Sequence, residues 1–395
     1  MSYEKLDTLR HNIQNLAIFI FFVCVSFIFH SKTIIYILFQ LLTIYNLIIL
    51  DRKQIMQNKF FIYYGLVFLW AIIVTLNSPV MHKSLLSLRY WLLPFFVYVA
   101  LYDYDILPLI KKYIWIPSIF LFLDDIVLFI YWHSNGASPL IKTHLYQLGY
   151  YLMGDIFYKV YTSTVIICIL IFIWFYIEKS IYKTSLIILN LISGILSYDR
   201  MFIISLLIVI LSYIFLEKLK FSLKKMILFL FITSITISVI TLFLILIGMD
   251  LHINDRLGIY SYWLPKVLVS PIIGVGVGKN CLQTFFLTHY PPSAQLLAEH
   301  SALQWTSHNF FLDLLLTQGI VGLVIYLLAL YKITYTSFQY AIYNNIKYKF
   351  VTFYIIIGIF SKFLVDNSMD DRPILVFWFF IICSYLINKN KLNNG

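Results

Sequence analysis

Charged side chains are scarce in this chain. They make up 12% of its 395 residues, against 61% hydrophobic, whereas soluble globular domains are about a quarter charged. That balance leaves too little polar surface to face water, and a soluble globular fold is excluded. Paired cysteines are missing as well. The four that occur, Cys24, Cys168, Cys281 and Cys383, stand singly with no C-x-x-C spacing, which removes both a zinc site and a dithiol redox motif. Short alternating strands are absent too, and with them the membrane β-barrel.

What the chain does have is a series of continuous apolar runs. Each is roughly 17–25 residues, enough to cross a hydrocarbon core of about 30 Å as helix. They fall near 13–29, 33–50, 60–76, 86–101, 114–131, 160–177, 181–197, 201–216, 226–247, 309–331, 350–366 and 373–387. The expected fold is therefore an all-α polytopic membrane protein with about twelve transmembrane helices. Nine spans occupy residues 1–247, interrupted by a loop at 132–159. A large loop follows at 248–308, and the last three spans and a tail fill 309–395. Asp199-Arg200 interrupts an apolar stretch too long for one crossing, so two short or bent helices should meet at Ser197-Tyr198-Asp199-Arg200. The first run follows a short charged start and lacks a small-residue cleavage site, which reads as a retained helix rather than a signal peptide.

The formal net charge is +11, but the lysines are spread over short loops. They form no basic patch with interleaved aromatics, so nucleic acid is not an expected partner. With the amino terminus in the cytoplasm, 18 of the 29 Lys and Arg residues lie in inner segments, as the positive-inside rule requires. Both termini are then cytoplasmic, and the loops 132–159 and 248–308 face outward. Arginine runs against this trend. Arg89, Arg200, Arg256 and Arg372 all fall on the outer side. A guanidinium suits bidentate contact with phosphate, and a pyrophosphate carried on a membrane lipid would give such a cluster a purpose. No repeat relates the two halves, which disfavours a transporter built on inverted repeats. The 31 Tyr and 35 Phe read as membrane packing and interfacial belt.

Residues 250–322 concentrate the motifs. Gly274-Val-Gly276-Val-Gly278-Lys279 lacks the spacing and the following Ser/Thr of a phosphate-binding P-loop. It reads as a tight turn that brings backbone close to the bilayer or a ligand, with Gly276 as the candidate contact. His308-Asn309 stands at the mouth of a span and admits two readings. In one, Asn309 caps the helix, Asp313 complements its positive end and His308 is a bystander. In the other, His308 is a general base or orients a hydroxyl. His289 and His300 match no metal-ligand spacing, and neither metal nor cofactor is expected. Gly319 and Gly322 should line one helix face and permit close packing. Asp124-Asp125, in the middle of a span, should face the bundle interior and pair with a Lys or Arg rather than mark an ion path. Lys362, Asp366, Asp370, Asp371 and Arg372 bracket the last outer loop and should mix solvated charge with one substrate-facing group, Arg372.

Arg256 ahead of an aromatic pair, then S-P-I-I-G-x-G-x-G at 270–278, then S-H-N-x-x-L-x-x-x-x-x-x-G-I-x-G at 307–322, together resemble the O-antigen ligase and polymerase superfamily. Those are integral membrane glycosyltransferases of bacterial surface-polysaccharide assembly. The specific part covers 256–323, and the twelve-span layout extends it loosely over the chain. Arg200 resembles the family's other Arg motif, with Tyr198-Asp199 in place of its usual small polar neighbours; Pro265 is a further departure, inside an expected loop helix. The resemblance implies a location in the bacterial inner membrane and a glycan donor on polyprenyl pyrophosphate. It implies catalysis by His308, Arg256 and Arg200 without metal or nucleotide, and substrate contacts from Arg372, Arg89, Asn309 and Gly276. The acceptor would be lipid A–core for a ligase, or a growing glycan for a polymerase. A polysaccharide transporter or flippase is the third reading, in which Asp124 and Asp125 matter more than His308.

Overall fold

In a computed structural model, residues 3–27, 32–50, 52–134, 159–197, 199–220, 222, 225, 254–299, 307, 309–363 and 371–390 are described. Among them there is no strand. The main helices are α1 (Tyr3–Phe27), α2 (Lys32–Ile49), α3 (Lys59–Leu76), α4 (Met81–Leu101), α5 (Trp115–Ser134), α6 (Lys159–Tyr176), α7 (Ile181–Leu196) and α8 (Arg200–Tyr213). After these come α9 (Asn254–Trp263), α10 (Lys279–His289), α11 (Phe310–Tyr343), α12 (Val351–Phe363) and α13 (Asp371–Asn390). The expected spans fall on helices in their described parts, except that the helix at 309–331 is broken at Gly319 and 226–247 lies outside the described residues. Stretches within α1, α3, α4 and α11, and α8 together with the π-helical turn Ile214–Lys218 that continues it, have the length and apolarity to cross a membrane, and shorter apolar helices pack among them. The chain is an all-α protein built for a membrane.

Composition sorts the helices by depth in the bundle. α13 is apolar all round, and Leu375 to Cys383 are buried on every side, as expected of a helix with no polar face. It forms the central pillar. Phe379 stacks on Phe21 of α1, and Trp378 meets Tyr64 of α3 edge-on at 4.8 Å. α6 is buried similarly through Val165 to Ile173. The peripheral helices keep large apolar groups outward, among them Leu66 and Leu69 on α3 and Ile203 and Leu207 on α8, where lipid would cover them.

Helix ends follow local chemistry. Asn58 caps α3 by accepting from the Phe60 amide at 2.9 Å, and Ser180 caps α7. Asp199 caps α8 by accepting from the Met201 amide at 2.9 Å. α7 and α8 thus meet at 197–200, as the polar interruption there predicts. Because Asp199 satisfies an otherwise orphan amide, α8 starts at Arg200 and not elsewhere.

Candidate functional site

The helix α11 is broken at Gly319, whose φ of 67° and ψ of −177° belong to a region that essentially only glycine enters. The break deprives the carbonyls of Leu316, Thr317 and Gln318, and the amide of Ile320, of their helical partners. In a membrane each such group must be satisfied by protein. A strap formed by 270–278 does most of this. The amides of Val275 and Gly276 donate to Leu316 and Thr317 at 3.1 and 3.0 Å, and the Ile320 amide donates to the Pro271 carbonyl at 2.8 Å. Trp70 Nε1 donates to the Gln318 carbonyl at 3.1 Å.

The glycines of the strap allow this approach. A Cβ on Gly274 would strike the Thr317 backbone, and one on Gly276 would strike Ser78 and Cys281. α3 and α4 then pin the strap. Ser78 Oγ donates to the Val275 carbonyl, and Ser84 Oγ accepts from the Val277 amide, both at 2.8 Å. The close backbone approach expected at Gly274 and Gly276 is therefore made to α11. Gly276 itself is buried with its amide engaged. Gly319 is likewise a helix break rather than a face shared with Gly322, whereas Gly322 does pack tightly, against Trp70 of α3. Cys281 lies beneath the strap, where burial pushes its thiol up to about 11.

The break changes the path of the chain. Phe310 and Tyr326 would lie about 24 Å apart along a straight helix, yet their ring centroids are 5.6 Å apart. The short arm ahead of Gly319 must therefore fold back on the long arm. This carries the start of α11 to α12, where Phe311 meets Phe360 at 5.1 Å. At that start Asn309 Oδ1 accepts from the Phe311 and Leu312 amides, each at 3.0 Å, so the expected cap forms. Asp313 has a local job. It is buried, and its Oδ1 accepts from Ser307 Oγ at 2.6 Å and from the Ser307 amide at 3.1 Å, which holds the turn before the cap. His308, between Ser307 and Asn309, lies outside the described residues.

Beside this turn is a junction of three helix ends. Lys362 of α12 is fully buried and pairs with Asp199 at 2.7 Å, and Ser163 of α6 hydrogen-bonds to both. Lys362 was expected among solvated charges at an outer loop. It is instead the cation that makes a buried carboxylate tolerable. Asp366 and Asp370 lie outside the described residues, and Asp371 opens α13.

Helices bearing three of the four arginines expected on the outer side converge here. Arg200 follows Asp199 directly. Arg372 opens α13, whose Phe377 packs on Phe360 at 5.9 Å. Arg256 lies in the first turn of α9, whose Ile259, Tyr262 and Trp263 share a core with Leu312 and Leu316 of the short arm. The side chains of Arg200, Arg256 and Arg372 lie outside the described residues. Arg89 stands apart. It is exposed on α4 and lies over Tyr90, which itself meets Tyr36 of α2.

Asp124 and Asp125 differ from expectation. Asp125 accepts from Ser193 of α7, and one turn away Asn190 Nδ2 donates to Ser118 Oγ at 2.9 Å. Among the described residues neither carboxylate meets a Lys or Arg. The Ser193 hydroxyl on the facing turn of α7 supplies Asp125 with the donor that a cation was expected to supply, and Asn190 with Ser118 continues the polar seam between α5 and α7. Among the described residues no three His, Cys, Asp or Glu side chains gather as a metal site. No protein-family model matches the chain, and no curated protein matches it in sequence.

Proposed function

We propose that this protein is a metal-independent glycosyltransferase of the O-antigen ligase type. It moves a glycan from polyprenyl pyrophosphate onto lipid A–core at the outer face of the bacterial inner membrane. It crosses that membrane about twelve times with both termini cytoplasmic and 248–308 on the outer side. The supporting observation is the folded-back short arm of α11, which brings the Asn309-capped helix start to the bundle end where the helices of Arg200, Arg256 and Arg372 converge. A helix N-terminus favours anions, and guanidinium groups match phosphate oxygens in pairs.

In this reading the acceptor hydroxyl attacks the anomeric carbon of the donor glycan. The bond from that carbon to the phosphate oxygen breaks, and polyprenyl pyrophosphate leaves with the electron pair. Arg256, Arg200 and Arg372 stabilise the charge gathering on it. His308 accepts the hydroxyl proton. The phosphate-activated sugar supplies the driving force.

The test is polysaccharide profiling of a deletion strain complemented with wild type, His308→Ala or Arg256→Lys. Ligase activity predicts that deletion strands polymerised glycan on its carrier and leaves lipid A–core bare. Both variants should reproduce that pattern while accumulating in the membrane, because lysine offers a point charge in place of the guanidinium fork. Cores bearing a single repeat unit would identify a polymerase instead. Full restoration by His308→Ala would remove the histidine from the mechanism.

A further inference from the structure

The strap and the 3₁₀ helix that leads into it have a side that the hold on α11 does not use. Leu264, Leu268, Val269 and Ile272 are 59, 79, 40 and 61% exposed. They belong to the 3₁₀ helix Leu264–Val269 and the turn that follows it. We propose that this segment, 264–272, seats its apolar side chains in one leaflet of the bilayer, so that its partner is the boundary between lipid headgroups and acyl chains. The proposal goes beyond the transfer reaction and does not depend on it.

Continuity with the lipid-facing helices carries the argument. The Ile320 amide bonds to the Pro271 carbonyl, which sets Ile272 beside the exposed apolar side of α11 formed by Ile320, Val324 and Leu328. Trp70 ties the same break to α3, whose Leu69, Ile73 and Leu76 are exposed as well. The long arm of α11 runs over 320–343, about 36 Å of helix against a hydrocarbon core of about 30 Å. The break, and the segment bonded to it, therefore fall at one edge of the core.

The segment is also chemically prepared for lipid. Pro265 and Pro271 carry no amide hydrogen to leave unsatisfied. The Gly274 amide donates back to the Ser270 carbonyl at 3.0 Å, and Ser270 Oγ donates to the Gly274 carbonyl at 2.8 Å. Lys266 is the sole charge in 264–272. Its Nζ is drawn off over the Tyr262 ring, 3.2 Å from the centroid, and donates to the Tyr262 carbonyl at 2.8 Å. An apolar side with its one cation withdrawn is the pattern of an interfacial element.

The experiment uses the full chain in liposomes, in a Cys24→Ala background because the other three cysteines are buried. A nitrobenzoxadiazole label is placed on Leu268→Cys and, as a second reporter, on Leu264→Cys. Ser293→Cys on the exposed part of the loop is the aqueous reference, and Leu328→Cys on α11 the membrane reference. At 264 and 268 the emission should be blue-shifted toward that of 328, quenched by lipids with a doxyl group near the carbonyl end of the acyl chain, and shielded from iodide. Emission and iodide quenching that match 293 at both positions would overturn the proposal. Neither result depends on catalytic activity, so the glycan-transfer reading stands or falls separately.

Discussion

Asp199 and Asp125 are both buried among apolar helices, yet Asp199 meets Lys362 at 2.7 Å while Asp125 meets the hydroxyl of Ser193. The first arrangement ties together the ends of α6, α8 and α12. The second is one rung of a polar seam between α5 and α7. A buried ion pair binds its members to each other, because removing either strands a charge that water cannot reach. A carboxyl held by a neutral donor carries no such mutual dependence. The junction at Asp199 is accordingly the more sensitive of the two, and it is the one next to Arg200 and the start of α11.

Breaking the ion pair should have the largest effect. Lys362→Met is expected to cost about 3–5 kcal/mol, measured by thermal unfolding of the purified protein or by loss from the membrane fraction. Adding Asp199→Asn should recover much of that loss, and failure to recover any would mean that Lys362 matters for packing and not for charge. Next comes Gly319→Ala. Its backbone conformation and the proximity of a new Cβ to the Ile272 carbonyl oppose alanine together, with an expected cost of about 1–3 kcal/mol from the backbone alone. That change loosens the strap and the folded-back arm, so protease cleavage within 270–278 should accelerate.

Smaller effects sharpen the same contrast. Asn309→Ala removes the cap of α11 at a cost of about 1 kcal/mol, visible as a modest drop in melting temperature. Asp125→Asn keeps an acceptor for Ser193 and should change stability by less than about 1 kcal/mol. A loss as large as that from Lys362→Met would show that the seam also depends on charge.

The helices themselves were legible because hydrophobic run length is a local property. So was the Asn309 cap, since an Asn just ahead of an apolar run offers its oxygen to the first free amides. The Lys362–Asp199 pair was not legible, although both residues stood out as charges near span ends. Their positions are 163 residues apart, and nothing local says which cation a buried carboxylate will meet. Asp124 and Asp125 misled for the same reason. A buried carboxyl calls for a donor, and a serine on a neighbouring helix supplies Asp125 with one without any charge to announce it. Gly319 was visible as a glycine, but its role depended on a strap drawn from 270–278.

By itself the sequence determined the membrane class, the helical fold, the meeting of two helices at 197–200 and the helix cap at Asn309. These follow from composition, run length and capping chemistry, all of which act within a few residues. Tertiary structure decided which charges pair, and that α11 folds back at Gly319 over a glycine strap so that its capped start sits among the arginine-bearing helix ends. Those outcomes depend on backbone groups freed by one break finding partners in another segment, and only the packed chain brings the two together.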